Sequence, residues 1–139
     1  MDNPAAQQKK ILIADDNQDM RQTLRLLMET QGYAVDEVTT SDDVIPRVKG
    51  TLPNLVLLDV MMPSRQALDG FDVCRMLKES LGDRCPRVIL LTAIGEGLKT
   101  DIHKIEQSTG ADDFVAKPFE NQDLVDSVNR LLGADGTQE

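Results

Sequence analysis

The sequence predicts a doubly wound α/β fold, with a five-stranded parallel sheet and five helices distributed over its two faces. Short apolar, β-branched runs recur at intervals of about twenty to thirty residues, and helical periodicity fills the intervals between them. Three of these runs are apolar almost throughout, the pattern of strands covered on both sides. A repeated strand-then-helix order implies right-handed crossovers and hence parallel strands.

The first strand is read at Ile11-Leu12-Ile13-Ala14. The first helix follows from Met20, Leu24, Leu27 and Gln31, which share one stripe before a stop at Gly32. Ala34 to Val38 is the second strand. The second helix, around Val44, Ile45 and Val48, contains Pro46; proline is tolerated only near a helix start, so Asp42 or Asp43 is the expected cap rather than Ser41. Leu55 to Leu58 is the third strand, and Phe71, Cys74, Leu77 and Leu81 mark the third helix before Gly82. Val88 to Leu91 is the fourth strand, with Leu98, Ile102 and Ile105 marking a fourth helix that ends near Gly110. Phe114 to Ala116 is the fifth strand; Leu124, Val128 and Leu131 mark the fifth helix, opened by Asn121 and closed by Gly133. The expected strand order is 2-1-3-4-5, that of flavodoxin-like sheets.

The 139 residues, 40% hydrophobic and 28% charged, have the make-up of one globular domain. We place it at residues 9–133, between tails at 1–8 and 134–139. No apolar run approaches the roughly 20 residues of a membrane helix, and the N-terminus lacks the apolar core of a signal peptide, so a cytoplasmic location is expected. The net charge of −9, spread along the chain, would repel a nucleic-acid backbone. Cys74 and Cys85 lack metal-ligand spacing and are expected to stay reduced, Cys74 as a core residue. His103 reads as a solvated group on the fourth helix.

In such sheets ligands bind at the carboxyl ends of the strands. Asp15 and Asp16 follow the first strand, Asp59 ends the third, Thr92 the fourth and Lys117 the fifth, with Pro118 behind it. Singly, each has a structural reading: Asp16 a helix cap, Asp59 a turn residue, Thr92 a strand end, Lys117 a surface amine. Together, three carboxylates at one edge repel by about 3 kcal/mol per pair at ~5 Å and an effective dielectric of roughly 20. Lys117 supplies one positive charge, and a hard divalent cation would supply the rest; oxygen-only ligands suit Mg²⁺. Mg²⁺ held by one or two carboxylates stays open to a phosphate oxygen. Asp59 is then the candidate nucleophile toward phosphorus, and Thr92 can donate its hydroxyl to a phosphoryl oxygen.

Ile-Leu-Ile-Ala-Asp-Asp at 11–16, Leu-Leu-Asp-Val-Met-Met-Pro at 57–63, Leu-Thr-Ala at 91–93 and Lys-Pro-Phe at 117–119 are similar to the signatures of the receiver domains of two-component response regulators. The resemblance runs from Lys9 to Leu132. It implies that Asp59 is the phosphoacceptor and that Asp15, Asp16, Asp59 and the Met61 carbonyl hold Mg²⁺. It further implies that Thr92, Ala93 and Lys117 receive the phosphoryl group, that Phe114 is an aromatic switch turning inward as the threonine moves, and that the bond before Pro118 is cis. The implied donor is a sensor histidine kinase, a histidine phosphotransfer protein or a small donor such as acetyl phosphate. A protein target would dock on the fourth helix, fifth strand and fifth helix. By this resemblance the chain is a phosphorelay signalling protein and not an enzyme, since its product is its own modified state.

Two departures from the family pattern stand out. Ser64-Arg65-Gln66-Ala67-Leu68 lengthens the loop after Asp59 by about three residues, and a second excess of roughly three falls between Thr92 and Lys117. The first insertion screens the site, meets a partner, or is a tolerated surface loop. Met61 and Ile94, two residues beyond Asp59 and Thr92, are apolar and cannot orient an attacking water, so slow self-dephosphorylation is expected. Among rivals, a histidine phosphotransfer bundle conflicts with five strands, and a flavin module needs a Ser/Thr/Gly phosphate loop where Asp15-Asp16-Asn17 stands. A Mg²⁺-dependent aspartyl phosphatase would require an acid at position 61, where Met stands. At face value the chain is a stand-alone receiver; the alternative is a receiver excised from a larger DNA-binding regulator or hybrid kinase.

Overall fold

The structure is a computed structural model that describes residues 8–92 and 107–133. Its strands are β1 Lys10–Ala14, β2 Ala34–Val38, β3 Leu55–Asp59, β4 Arg87–Thr92 and β5 Asp113–Ala116. They form one parallel sheet in the order β2-β1-β3-β4-β5, as expected. The helices are α1 Gln18–Thr30, α2 Val44–Thr51, α3 Gly70–Leu81, α4, described at residues 107–109, and α5 Asn121–Leu132. The expected body of the fourth helix at Leu98, Ile102 and Ile105 lies outside the described residues, as do Ala93, Ile94, His103 and all of both tails except Gln8.

Period-two alternation along the central strands divides the core in two. Ile11 and Ile13 of β1, Leu55 and Leu57 of β3, and Ile89 and Leu91 of β4 meet Leu24 and Met28 of α1 and Leu124, Val125 and Val128 of α5. The intervening residues Leu12, Ala14, Val56, Leu58, Val88 and Leu90 meet Val44 and Val48 of α2 and Val73, Cys74 and Leu77 of α3. Each fully buried Leu or Ile stabilises the fold by about 2 kcal/mol, against at most about 1 kcal/mol for an exposed ion pair, so these two layers hold the sheet. Among the described residues no helix is long and apolar enough to cross a membrane.

Local details depart from the sequence reading for physical reasons. In α1 it is Met28 that is buried, one turn after Leu24, while Gln31 is exposed at the C-cap. Its N-cap is Asn17, whose side chain accepts from the Met20 amide at 2.8 Å, not Asp16. A 3-10 turn at Ser41–Asp43 precedes α2; Asp43 stands at the cap position but makes no capping hydrogen bond, and Pro46 lies in the first turn. Asn121 is the first residue of α5 and Glu120 its N-cap, while Gly133 closes the helix in the left-handed region at φ +69. Both cysteines are free thiols, and burial pushes the Cys74 thiol up to about 12.

Candidate functional site

Sheet register alone brings the chemical residues level. Ala14 lies opposite Leu58, so Asp15 stands beside Asp59; Thr92 lies opposite Ala116, so Lys117 follows one step beyond. One carboxylate oxygen each from Asp15, Asp16 and Asp59 lies within 4.8 Å of the others. Asp15, Asp59 and Thr92 are buried and Asp16 is exposed. Lys117 Nζ sits 3.0 Å from Asp15 Oδ2 and 3.5 Å from Asp59 Oδ2. Burial raises the Asp59 carboxyl above its ordinary value and the charge of Asp15 raises it further, while Lys117 and the Met61 amide oppose the rise. Among the described residues, one ammonium stands against three carboxylates, which leaves this edge short of positive charge. An all-oxygen donor set, part buried and part open to water, suits a hard cation, and this cluster could hold one.

Supporting groups fix these carboxylates. Asp15 Oδ1 accepts from the Asn17 amide at 2.9 Å, and the Asp15 amide donates to Val38 O at 3.2 Å. Arg21 donates through Nη1 to the Asp15 carbonyl at 3.1 Å and through Nε to Glu37 at 3.0 Å; Arg25 holds the other oxygen of Glu37 at 2.5 Å. Sequence reasoning missed this brace, whose only local trace is two arginines four apart on α1. Just beyond β3, the Val60 amide donates to Leu91 O at 2.9 Å and the Val60 carbonyl accepts from the Gly70 amide at 2.8 Å. The Met61 amide donates to Asp59 Oδ1 at 3.3 Å, and the residue is 72% exposed. The Lys117 amide donates to Thr92 O at 2.7 Å, and the Lys117–Pro118 bond is cis, as the resemblance implied. Phe114 is buried on the face covered by α2 and α3.

The family model for the response regulator receiver domain matches residues 11–129. The chain belongs to this family. Response regulator receivers are signalling proteins that act through phosphorylation with histidine kinases. The receiver is 36% identical over 124 residues to the transcriptional regulatory protein ResD of Bacillus subtilis (strain 168), covering 88% of this chain and 48% of ResD. It is 32% identical to the phosphate regulon transcriptional regulatory protein PhoB of Rhizobium meliloti (strain 1021), covering 88% of this chain and 52% of PhoB. The chain thus spans about half the length of these relatives. Among solved structures, the signal receiver domain of a signal transduction histidine kinase from Syntrophus aciditrophicus matches with a TM-score of 0.78 at 32% identity, over 94% of this chain and 95% of that one.

Proposed function

We propose that this receiver takes a phosphoryl group onto Asp59 in a Mg²⁺-dependent reaction and signals through a change of shape in the phosphorylated form. The observation behind this reading is the meeting of Asp15, Asp16 and Asp59 within 4.8 Å, with the Lys117 ammonium 3.5 Å from Asp59. An Asp59 oxygen attacks the phosphorus of a phosphohistidine or of acetyl phosphate. A new O–P bond forms, the P–N or P–O bond opposite it breaks, and that electron pair leaves on imidazole or acetate. Bound Mg²⁺ would neutralise charge on the transferred oxygens. Asp15, Asp16, Asp59 and the Met61 carbonyl are its proposed ligands. Thr92, Ala93 and Lys117 receive the phosphoryl oxygens; a new bond to Thr92 would pull on the end of β4, two residues beyond Leu90, which lies opposite Phe114, the proposed switch.

The donor is a histidine kinase or histidine phosphotransfer protein, the location cytoplasmic, and the target is met through α4, β5 and α5. The names of ResD and PhoB support the further reading that such a receiver serves as one module of a longer transcriptional regulator.

Incubation with acetyl phosphate, with Mg²⁺ or with a chelator, tests the reaction. Intact mass should rise by one phosphoryl group only with Mg²⁺, and borohydride reduction should convert residue 59 into homoserine. Labelling that survives chelation, or maps elsewhere, overturns the proposal. Steady hydrolysis of a simple phosphate ester with no phosphoprotein would point to a phosphatase instead.

A further outcome concerns lifetime. The thioether of Met61 cannot hold a water against phosphorus, whereas an amide there can, so Met61→Asn should speed loss of the label on the order of 10-fold. The decay of the phosphorylated mass after removal of donor measures this, and an unchanged decay rules out the role for position 61.

A further inference from the structure

The loop that follows Asp59 is folded about one hydroxyl. Ser64 Oγ accepts from the amides of Gln66 and Leu68, each at 3.1 Å, and donates to Asp42 Oδ1 at 2.7 Å. Asp42 Oδ2 accepts from the Arg65 amide at 2.7 Å, and the Ser41 amide donates to Pro63 O at 2.9 Å. Three hydrogen bonds therefore tie the turn between β2 and α2 to the segment between β3 and α3. Two of them end on a carboxylate and so belong to the stronger, charge-assisted class. The Arg65 amide and the Ser64 hydroxyl accordingly hold the Asp42 carboxyl below its ordinary value. Ala67 adopts φ +59, a conformation that a residue with a side chain keeps only where its surroundings impose it. Such a loop is a folded element, not a slack insertion.

What the clamp acts on follows from the chain between its ends. Val60 is fixed on one side, its amide to Leu91 and its carbonyl to Gly70. Pro63 to Arg65 is fixed on the other, by Ser41 and Asp42. The two residues between them, Met61 and Met62, are held from both sides, and Met62 packs partly against the core. We propose that Asp42 is a positioning residue: through Ser64 and Arg65 it fixes the segment that presents the Met61 carbonyl, and so sets the affinity of the Asp15-Asp16-Asp59 cluster for its cation. This role presupposes the Mg²⁺-dependent function proposed above.

Calorimetric titration with Mg²⁺ of the wild type, Asp42→Asn, Ser64→Ala and the double variant tests it. Each single substitution should weaken Mg²⁺ binding by about 10-fold, the usual scale for groups that orient metal ligands. The double variant should be no weaker than the worse single, because both substitutions open one clamp. Ser64→Thr keeps the hydroxyl and should bind as the wild type does. The labelling rate at saturating Mg²⁺ should stay within about twofold of the wild type, since the clamp acts on binding and not on the attacking carboxylate. Gln66 and Leu68 amides should exchange faster in Ser64→Ala. Wild-type Mg²⁺ affinity in both single variants overturns the clamp while leaving the phosphoacceptor reading intact. A wild type that takes up no Mg²⁺ removes that reading and the clamp with it.

Discussion

Asp59→Asn should abolish phosphoryl labelling altogether and, in the metal-free protein, make the fold more stable. The first effect is chemical, because an amide oxygen is no nucleophile toward phosphorus at neutral pH. The second is electrostatic. Asp59 lies almost wholly buried beside Asp15, and its carboxyl is raised by burial first and by the Asp15 charge second. A carboxyl raised in the folded state binds more protons there than in the unfolded chain, so its ionisation costs stability at neutral pH. Lys117, 3.5 Å away, offsets part of the repulsion but faces Asp15 more closely, at 3.0 Å. A net gain of about 1 kcal/mol on neutralising Asp59, or roughly 4 °C in Tm for a domain of this size, follows. The gap should narrow as pH falls through the raised Asp59 value toward the ordinary 3.8, because the wild-type carboxyl then takes up its own proton. Mg²⁺ should reverse the order: at 100 times its dissociation constant it stabilises the wild type by about 2.7 kcal/mol. Thermal melts of both proteins, with Mg²⁺ and with chelator, over a range of pH, measure all three effects. A metal-free Asp59→Asn that melts below the wild type at neutral pH would make the carboxylate a structural group and the charge deficit illusory.

The same balance explains why this edge is assembled from so many secure parts. A cluster that repels itself stays in place only if the surrounding backbone is over-determined. Asp15 is held at its amide, its carbonyl and both carboxylate oxygens, by Val38, Arg21, Asn17 and Lys117. The end of β3 is held by Leu91 and Gly70. Buried apolar layers beneath these contacts supply the stability that the unfavourable charge arrangement consumes.

Strand positions were legible because β1, β3 and β4 are buried on both faces, and an uninterrupted apolar run has few other uses in a chain without membrane-length segments. Once the strands and their order were read, Asp15, Asp16, Asp59, Thr92 and Lys117 had to gather, since parallel register puts strand ends side by side. Contacts made across the fold were not legible. Asp42 reads locally as a helix cap, yet its carboxylate goes to Ser64 and Arg65, more than twenty residues on. Nothing in the sequence beside Arg21 points to its partners, because only the approach of β2 to α1 turns it toward Glu37 and the Asp15 carbonyl. In α1 Met28 and not Gln31 is buried, because the helix face that docks is chosen by the sheet beneath it and not by the helix alone.

Gly70→Ala should cost the fold about 3 kcal/mol, close to the upper end for overpacked sites and roughly 10 °C in Tm. Next to Asp69 this glycine suggests a turn, but its backbone is not in the left-handed region; what it provides is proximity. A Cβ there would lie 2.6 Å from Val60 Cα and 2.8 Å from the Asp59 carbonyl oxygen, both backbone atoms of the strand end that carries the phosphoacceptor candidate. No rotamer change relieves such an overlap, so α3 must move away from β3 or the end of β3 must shift. Moving α3 strains the Gly70 amide to Val60 carbonyl bond of 2.8 Å and the capping box in which Asp69 and Asp72 exchange hydrogen bonds. Shifting β3 instead displaces Asp59 itself, so weaker Mg²⁺ binding should accompany the lower Tm. Gly50→Ala is the matched control: it lies in α2 with nothing within 4 Å of the added carbon, and it should stabilise by about 0.5–1 kcal/mol through the better helix propensity of alanine. Urea unfolding of both variants measures the contrast, and a Gly70→Ala midpoint within error of the wild type would mean that α3 and β3 do not approach as closely as these distances require.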